Sequence, residues 1–298
     1  MAVIRTPDER FANLFDFPFE PQYVEINQLR IHYVDEGQGD VILCLHGEPT
    51  WAYLYRKMIP LLTNAGNRVI APDFIGFGRS DKFTEMSDYS FQMHYDSMLA
   101  FIETLDLTKI TFVAQDWGGI IGLSIAANHP ERFARLVILN TFLPSGEEPP
   151  SEGFKRWRDV ATHKELIAGL TVQNGSFTGS SLPPEVLAAY DAPFPDKSYK
   201  AGMQAFPLIV PLSPNDPGAA EIKEARQKLQ KWDKPAIIMF SDNDPVLGGA
   251  AKFFRRLIPT TTDQPEITIK DAGHFLQEDK GEEIAQYIID FLARTSLD

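Results

Sequence analysis

The sequence has a single cysteine in 298 residues, so no disulfide can form within the chain. That residue, Cys44, lies in the apolar run Val41 to Leu45. Nothing near it in sequence would lower a thiol pKa, so it reads as a small buried hydrophobe and not as a nucleophile. No apolar stretch reaches the length needed to cross a bilayer. The first residues, MAVIRTPDERF, lack the charged start, long apolar run and small-residue cleavage site of a signal peptide, which leaves the cytoplasm as the expected location. Positive charge is also scarce. Lys and Arg number 28 against 41 Asp and Glu, a net charge of -13. Nucleic-acid backbones and anionic membranes need clustered cations, so neither is an expected partner. Internal repeats and low-complexity tracts are absent.

What is present is an alternation. Short apolar runs are expected to form eight strands: Tyr23 to Ile26, Ile31 to Val34, Val41 to His46, Arg68 to Pro72, Ile110 to Ala114, Leu136 to Asn140, Ala236 to Phe240 and Glu266 to Ile269. The later runs are continuously apolar, as parallel strands covered on both faces must be. Helical patterns fall between them at Ala52 to Ala65, Phe91 to Leu107, Trp117 to Asn128, Ala250 to Leu257 and Gly281 to Leu292. The fold class is therefore α/β, with a mostly parallel eight-stranded sheet flanked by helices. The rhythm breaks from about 144 to 230, where prolines and short helical patches such as Pro184 to Tyr190 and Glu221 to Trp232 replace strand runs. This stretch is expected to be a helical cap inserted after the sixth strand, over the strand ends where open α/β sheets bind ligands. The expected organisation is a core of 1–143, a cap of 144–230 and the rest of the core at 231–298.

Four segments carry chemistry. Phe112-Val113-Ala114-Gln115-Asp116-Trp117-Gly118-Gly119 runs from a strand through a small-x-Asp-x-Gly-Gly turn into a helical pattern. This is the layout of a nucleophile elbow with Asp where ester hydrolases carry Ser; an N-cap aspartate is the plain alternative. Leu45-His46-Gly47-Glu48-Pro49-Thr50-Trp51 follows the third strand. There the backbone N–H of Glu48, paired with that of Trp117, would form an oxyanion hole. Lys270-Asp271-Ala272-Gly273-His274-Phe275 follows the last strand, and of the six histidines only His274 has the order and context of a catalytic base. Met239-Phe240-Ser241-Asp242-Asn243-Asp244-Pro245 follows the seventh strand and supplies the acid that would orient His274. Asp244 is preferred over Asp242 because it matches a Gly-x-x-Asp turn in which Ser241 replaces Gly. After the sixth strand the corresponding place holds Asn140, which cannot serve. Asp73 to Ser80 contains a Gly-x-Gly without a third glycine, and reads as a tight turn and not as a phosphate loop.

An aspartate nucleophile is already ionised at neutral pH and can attack saturated carbon directly, leaving an alkyl ester. His274 would then deprotonate the water that hydrolyses the ester. The triad fits halides, epoxides and activated esters alike. A halide leaving group needs N–H donors, which Trp supplies, whereas an epoxide oxygen needs a proton, for which the cap offers Tyr190 and Tyr199. Trp117 follows the nucleophile, and Trp157 lies well inside the cap.

The segments His46 to Trp51, Asp73 to Ser80, Gln115 to Gly119 and Ala192-Pro193-Phe194-Pro195-Asp196 together resemble haloalkane dehalogenases of the α/β-hydrolase fold. They look most like the branch that holds halide with two tryptophans and carries its acid after the seventh strand. The resemblance spans nearly the whole chain and is weakest from Pro144 to about Leu182. It implies hydrolysis of a small halogenated aliphatic substrate to alcohol, halide and a proton, without metal or organic cofactor. It also implies that Trp117 and Trp157 hold the halide and that Phe154, Phe206, Pro207, Val210, Val246 and Leu247 line the pocket. A monomer is expected. The alternatives are an epoxide hydrolase and a non-catalytic ligand receptor on the same fold.

Overall fold

The computed structural model describes residues 2–177 and 181–297. Its main sheet has eight strands: β1 (Gln22–Ile26), β2 (Leu29–Gly37), β3 (Asp40–Leu45), β4 (Asn67–Pro72), β5 (Ile110–Ala114), β6 (Phe133–Ile138), β7 (Ala236–Ser241) and β8 (Ile267–Ile269). Their order in space is β1-β2-β4-β3-β5-β6-β7-β8. β2 pairs antiparallel with β1 and β4, and every other neighbouring pair is parallel. Every residue of β5 is buried, and so are all six of β7, which explains why both read as unbroken apolar runs. From β3 the chain first adds β4 on one side, then returns to add β5 on the other. That reversal makes a crevice beyond the carboxyl ends of β3 and β5, the place where open α/β sheets hold ligands.

Helices cover both faces. In α2 (Phe91–Thr104), Ser90 caps the start by accepting from Met93 N–H at 3.1 Å, and Phe91, His94, Met98, Phe101 and Ile102 form the buried stripe. α3 (Asp116–Asn128) is buried all round from Trp117 to Ala127 because α2 and α8 (Ala219–Leu229) pack on the sides the sheet leaves open. α9 (Ala250–Leu257) and α10 (Leu276–Arg294) complete the layers.

Two expected helices came out differently, and one strand pair was not expected. The helix over Ala52 to Ala65 divides into a 3-10 turn at Ala52–Tyr55 and α1 at Ile59–Asn64, because Pro60 fits only in a first turn. α10 starts at Leu276, not Gly281; the non-helical backbone of Lys280 kinks it where the sequence pattern suggested a beginning. Val3–Ile4 and Lys82–Phe83 form a small antiparallel pair too short to show any periodicity.

Between β6 and β7 lie α4 (Glu152–His163), α5 (Ala168–Gly175), α6 (Pro184–Asp191), α7 (Ala201–Ala205) and α8. The inserted segment is tied to the sheet end by hydrogen bonds. Ser151 accepts from Phe154 N–H at 3.0 Å and donates to the Val246 carbonyl at 2.8 Å. Tyr190 on α6 donates to Glu278 at 2.7 Å, where Arg56 also binds in a bidentate pair. Among the described residues no helix is long and apolar enough to cross a membrane.

Candidate active site

Asp116 stands at the junction of β5 and α3 with φ +47°, a left-handed conformation that costs a non-glycine residue about 1–3 kcal/mol. The surroundings hold it there. Its N–H donates to the Asn140 carbonyl at 2.7 Å, and its carbonyl accepts from Thr141 Oγ1 at 2.7 Å. A Cβ at Gly47 would lie 2.2 Å from Asp116 Oδ1, so the turn after β3 needs glycine to let the carboxylate stand. Glu48 N–H donates to Asp116 Oδ1 at 2.8 Å. Of the two expected oxyanion donors, Glu48 is thus engaged, while the Trp117 N–H makes no hydrogen bond to that carboxylate.

His274 bridges two acids. Its Nε2 lies 3.5 Å from Asp116 Oδ2, and its Nδ1 donates to Asp244 Oδ2 at 2.8 Å. Asp244 Oδ1 accepts from Val246 and Leu247 N–H at 2.7 and 3.0 Å, so the turn after β7 fixes the carboxylate that fixes the ring. Asp242 faces elsewhere, accepting from Asn243 Nδ2 at 2.6 Å. Burial opposes a charge on His274. The Asp244 charge and the hydrogen bonds to Asp116 and Asp244 outweigh that, and the ring is pushed up to about 10. Burial also works against ionised Asp244, but His274 and the two N–H groups bring its carboxyl below the usual range.

The Glu48 side chain is buried. Burial first, then the Asp116 charge, push its carboxyl well above the ordinary range against a smaller opposing pull from His274, which favours the neutral acid. Cys44 is buried, and burial raises its thiol, consistent with a packing role.

A cavity of about 890 Å³ opens over these groups. Asp116, Trp117, Glu48 and His274 form its floor, and Trp157 and Phe154 from α4 stand in its wall. Pro207, Val210, Val246 and Leu247, positions that the family resemblance implied, also line it. Phe206 does not. It is fully buried and stacks behind Trp117, with ring centroids 4.6 Å apart, because the chain at α7 turns that ring toward the core. Neither Tyr190 nor Tyr199 lines the cavity; Tyr190 is fully buried against Tyr53 with its hydroxyl on Glu278. The cap wall therefore combines Trp157 and many apolar groups with polar ones such as Arg156, Lys164 and Asn174, and leaves these two phenols out.

Several contributors had roles that the sequence did not reveal. Asn140, set aside as unable to act as an acid, is a staple: its Nδ2 donates to Ser241 Oγ at 2.7 Å and to the Gly273 and His274 carbonyls at 3.0 and 3.3 Å. Asp73 organises the tight turn after β4, accepting from Ala52 and Arg79 N–H at 2.8 Å and from His32 Nδ1 at 2.7 Å. Ile120, Phe142 and Leu170 complete the apolar wall from three separate elements and loops, so only the folded chain brings them together.

The α/β-hydrolase fold model matches residues 40–281. A haloalkane dehalogenase of Psychrobacter cryohalolentis is 48% identical over 98% of each chain, and one of Mycolicibacterium paratuberculosis is 47% identical over 97% of this chain and 98% of its own. Among solved structures, the tetrameric haloalkane dehalogenase DpaA of Paraglaciecola agarilytica superposes with a TM-score of 0.90 at 41% identity, covering 96% of this chain and 97% of that one. With a carboxylate at the elbow, an aromatic cavity above it and this likeness along its length, the chain belongs to the haloalkane dehalogenase family of α/β hydrolases, which cleave carbon–halogen bonds by hydrolysis.

Proposed function

We propose that Asp116 is the nucleophile of this hydrolysis. An Asp116 oxygen bonds to the halogen-bearing carbon as the carbon–halogen pair leaves with the halide, giving an alkyl ester and a halide ion. The indole N–H groups of Trp117 and Trp157 stabilise the departing charge in a largely apolar cavity. Ester formation neutralises Asp116. That removes one of the two charges that hold a proton on His274, and its basicity falls toward that needed for general base catalysis. His274 then takes a proton from water, whose oxygen adds to the ester carbonyl carbon. The Glu48 and Trp117 N–H groups hold the resulting oxyanion. Collapse expels the alcohol, which leaves with the proton from His274, and leaves Asp116 as the acid with one oxygen from water; loss of its proton to solvent regenerates the carboxylate.

The observation that carries this assignment is the continuous line Asp116–His274–Asp244, with Asp116 on the cavity floor. The test is turnover of 1-bromohexane and styrene oxide by the wild type, with mass spectrometry of His274→Phe after exposure to 1-bromohexane. Bromide and hexanol from the wild type, and an alkyl adduct on the peptide containing Asp116 in the variant, are expected. Diol without bromide, or an adduct elsewhere, sinks the assignment.

The nucleophile, base, acid and both tryptophans all come from one chain, which supports a monomer as the catalytic unit; light scattering in solution would separate this from a tetramer like that of the solved relative. A single buried cysteine suits a reducing compartment and supports a cytoplasmic site of action.

A further inference from the structure

The loop that carries His274 is held from two sides. On the core side, Asn140 Nδ2 donates to the carbonyls of Gly273 and His274. On the other side its N–H groups go to the cap and to one carboxylate. His274 N–H donates to the carbonyl of Gly175, the last residue of α5, at 2.6 Å. Gly273 N–H donates to Asp279 Oδ2 at 2.9 Å, and the same oxygen accepts from Phe177 N–H, just beyond α5, at 2.9 Å. The backbones touch here: a Cβ on Gly273 would lie 2.3 Å from the Gly175 oxygen. One oxygen of Asp279 therefore joins the histidine loop to the cap segment 175–177. Asp279 does not line the cavity, whereas Asn174 and Gly175 do.

We infer that Asp279 is a positioning residue for the second half of the reaction: it fixes His274 over the Asp116 ester and locks that position to the cavity wall on α5. It rests on His274 being the base assigned above. The two half-reactions differ in their need for this alignment. Displacement of halide uses Asp116 and needs no base, whereas ester hydrolysis needs His274 Nε2 placed to within a fraction of an ångström. Small errors of placement are costly; a shift of about 1 Å can slow a step on the order of 10²-fold.

Rapid-quench kinetics with 1-bromohexane read the two steps separately. In Asp279→Ala, bromide should appear in a burst at the wild-type rate, with alkyl-enzyme accumulating, while steady turnover per burst equivalent falls on the order of 10²-fold. Burst amplitude counts folded sites, so poor folding does not obscure the ratio. Asp279→Glu keeps the charge at the start of α10 but moves the oxygen by a methylene, and should slow hydrolysis in the same selective way. Asp279→Asn keeps an acceptor at the right place and should restore most of the hydrolytic rate. Equal slowing of both steps, or unchanged hydrolysis in Asp279→Ala and Asp279→Glu, overturns the inference and leaves Asp279 a simple helix-start residue. His274→Phe separates the two claims: bromide release without trapped ester there refutes the base assignment itself.

Discussion

The two ends of the cavity are built on opposite plans. At the sheet end, ionisable groups crowd together, and backbone bonds fix them: Glu48 N–H on Asp116, Val246 and Leu247 N–H on Asp244, and carbonyl and N–H contacts on both sides of His274. At the cap end the wall is largely aromatic and aliphatic, with Arg156, Lys164, Glu165, Thr171 and Asn174 as polar groups among them. Its rim leaves Val160, Ile167, Leu170 and Leu212 exposed, each more than a third accessible. Buried charges tolerate little movement because each one left without its partner is costly. An apolar wall has only to exclude water and match a volume, so it can change while the reaction stays the same. On the proposed mechanism, the attack and the ester hydrolysis are carried out at the sheet end, while the cap wall sets the space a substrate can fill.

That division can be broken at three levels. The largest effect is expected from Asp116→Ala: bromide release from any haloalkane should fall by at least about 10⁴-fold, as loss of a nucleophile does elsewhere. Retained turnover would place the nucleophile at another residue. Trp157→Phe removes a cap donor but keeps an aromatic wall. Its kcat/KM should drop roughly 10- to 100-fold, the value of one hydrogen bond to a charged group, with a steeper loss for chloroalkanes than for bromoalkanes. An equal loss for 1-bromohexane and 1-chlorohexane would reduce Trp157 to packing. The smallest effect concerns stability and pH. The folded protein raises His274 to about 10, above an unfolded value of about 6.5, so its ion pairs stabilise fully below pH 6.5 and lose their contribution as pH rises toward 10. The Tm advantage of the wild type over His274→Phe should shrink across that window, while the difference between wild type and Trp157→Phe stays flat. A wild-type advantage that grows with pH would show that His274 is held neutral.

The sheet was legible because its strands are short apolar runs punctuated by turns, and all eight fall within a few residues of where the pattern puts them. That Asp116, His274 and Asp244 come together was legible for a related reason. Each member follows a strand, in a turn whose glycines and small residues mark the sharp reversal. What stayed hidden depends on side-chain direction. Phe206 and Trp157 are both apolar aromatics in helical cap segments, yet one backs onto Trp117 and the other faces the cavity. Tyr190 and Tyr199 could not be dismissed from the sequence, and only tertiary packing turns them away. The contacts of Asn140 and Asp279 span loops distant in sequence or bind backbone groups, which leave no trace in a residue pattern.

The left-handed backbone at Asp116 has one last consequence. Glycine would rest there without that strain, although the exchange would also strip Glu48 N–H and His274 of their carboxylate partner. Wherever the relief of strain exceeds that loss, a screen for heat resistance that ignores turnover would favour removal of the carboxylate proposed as nucleophile.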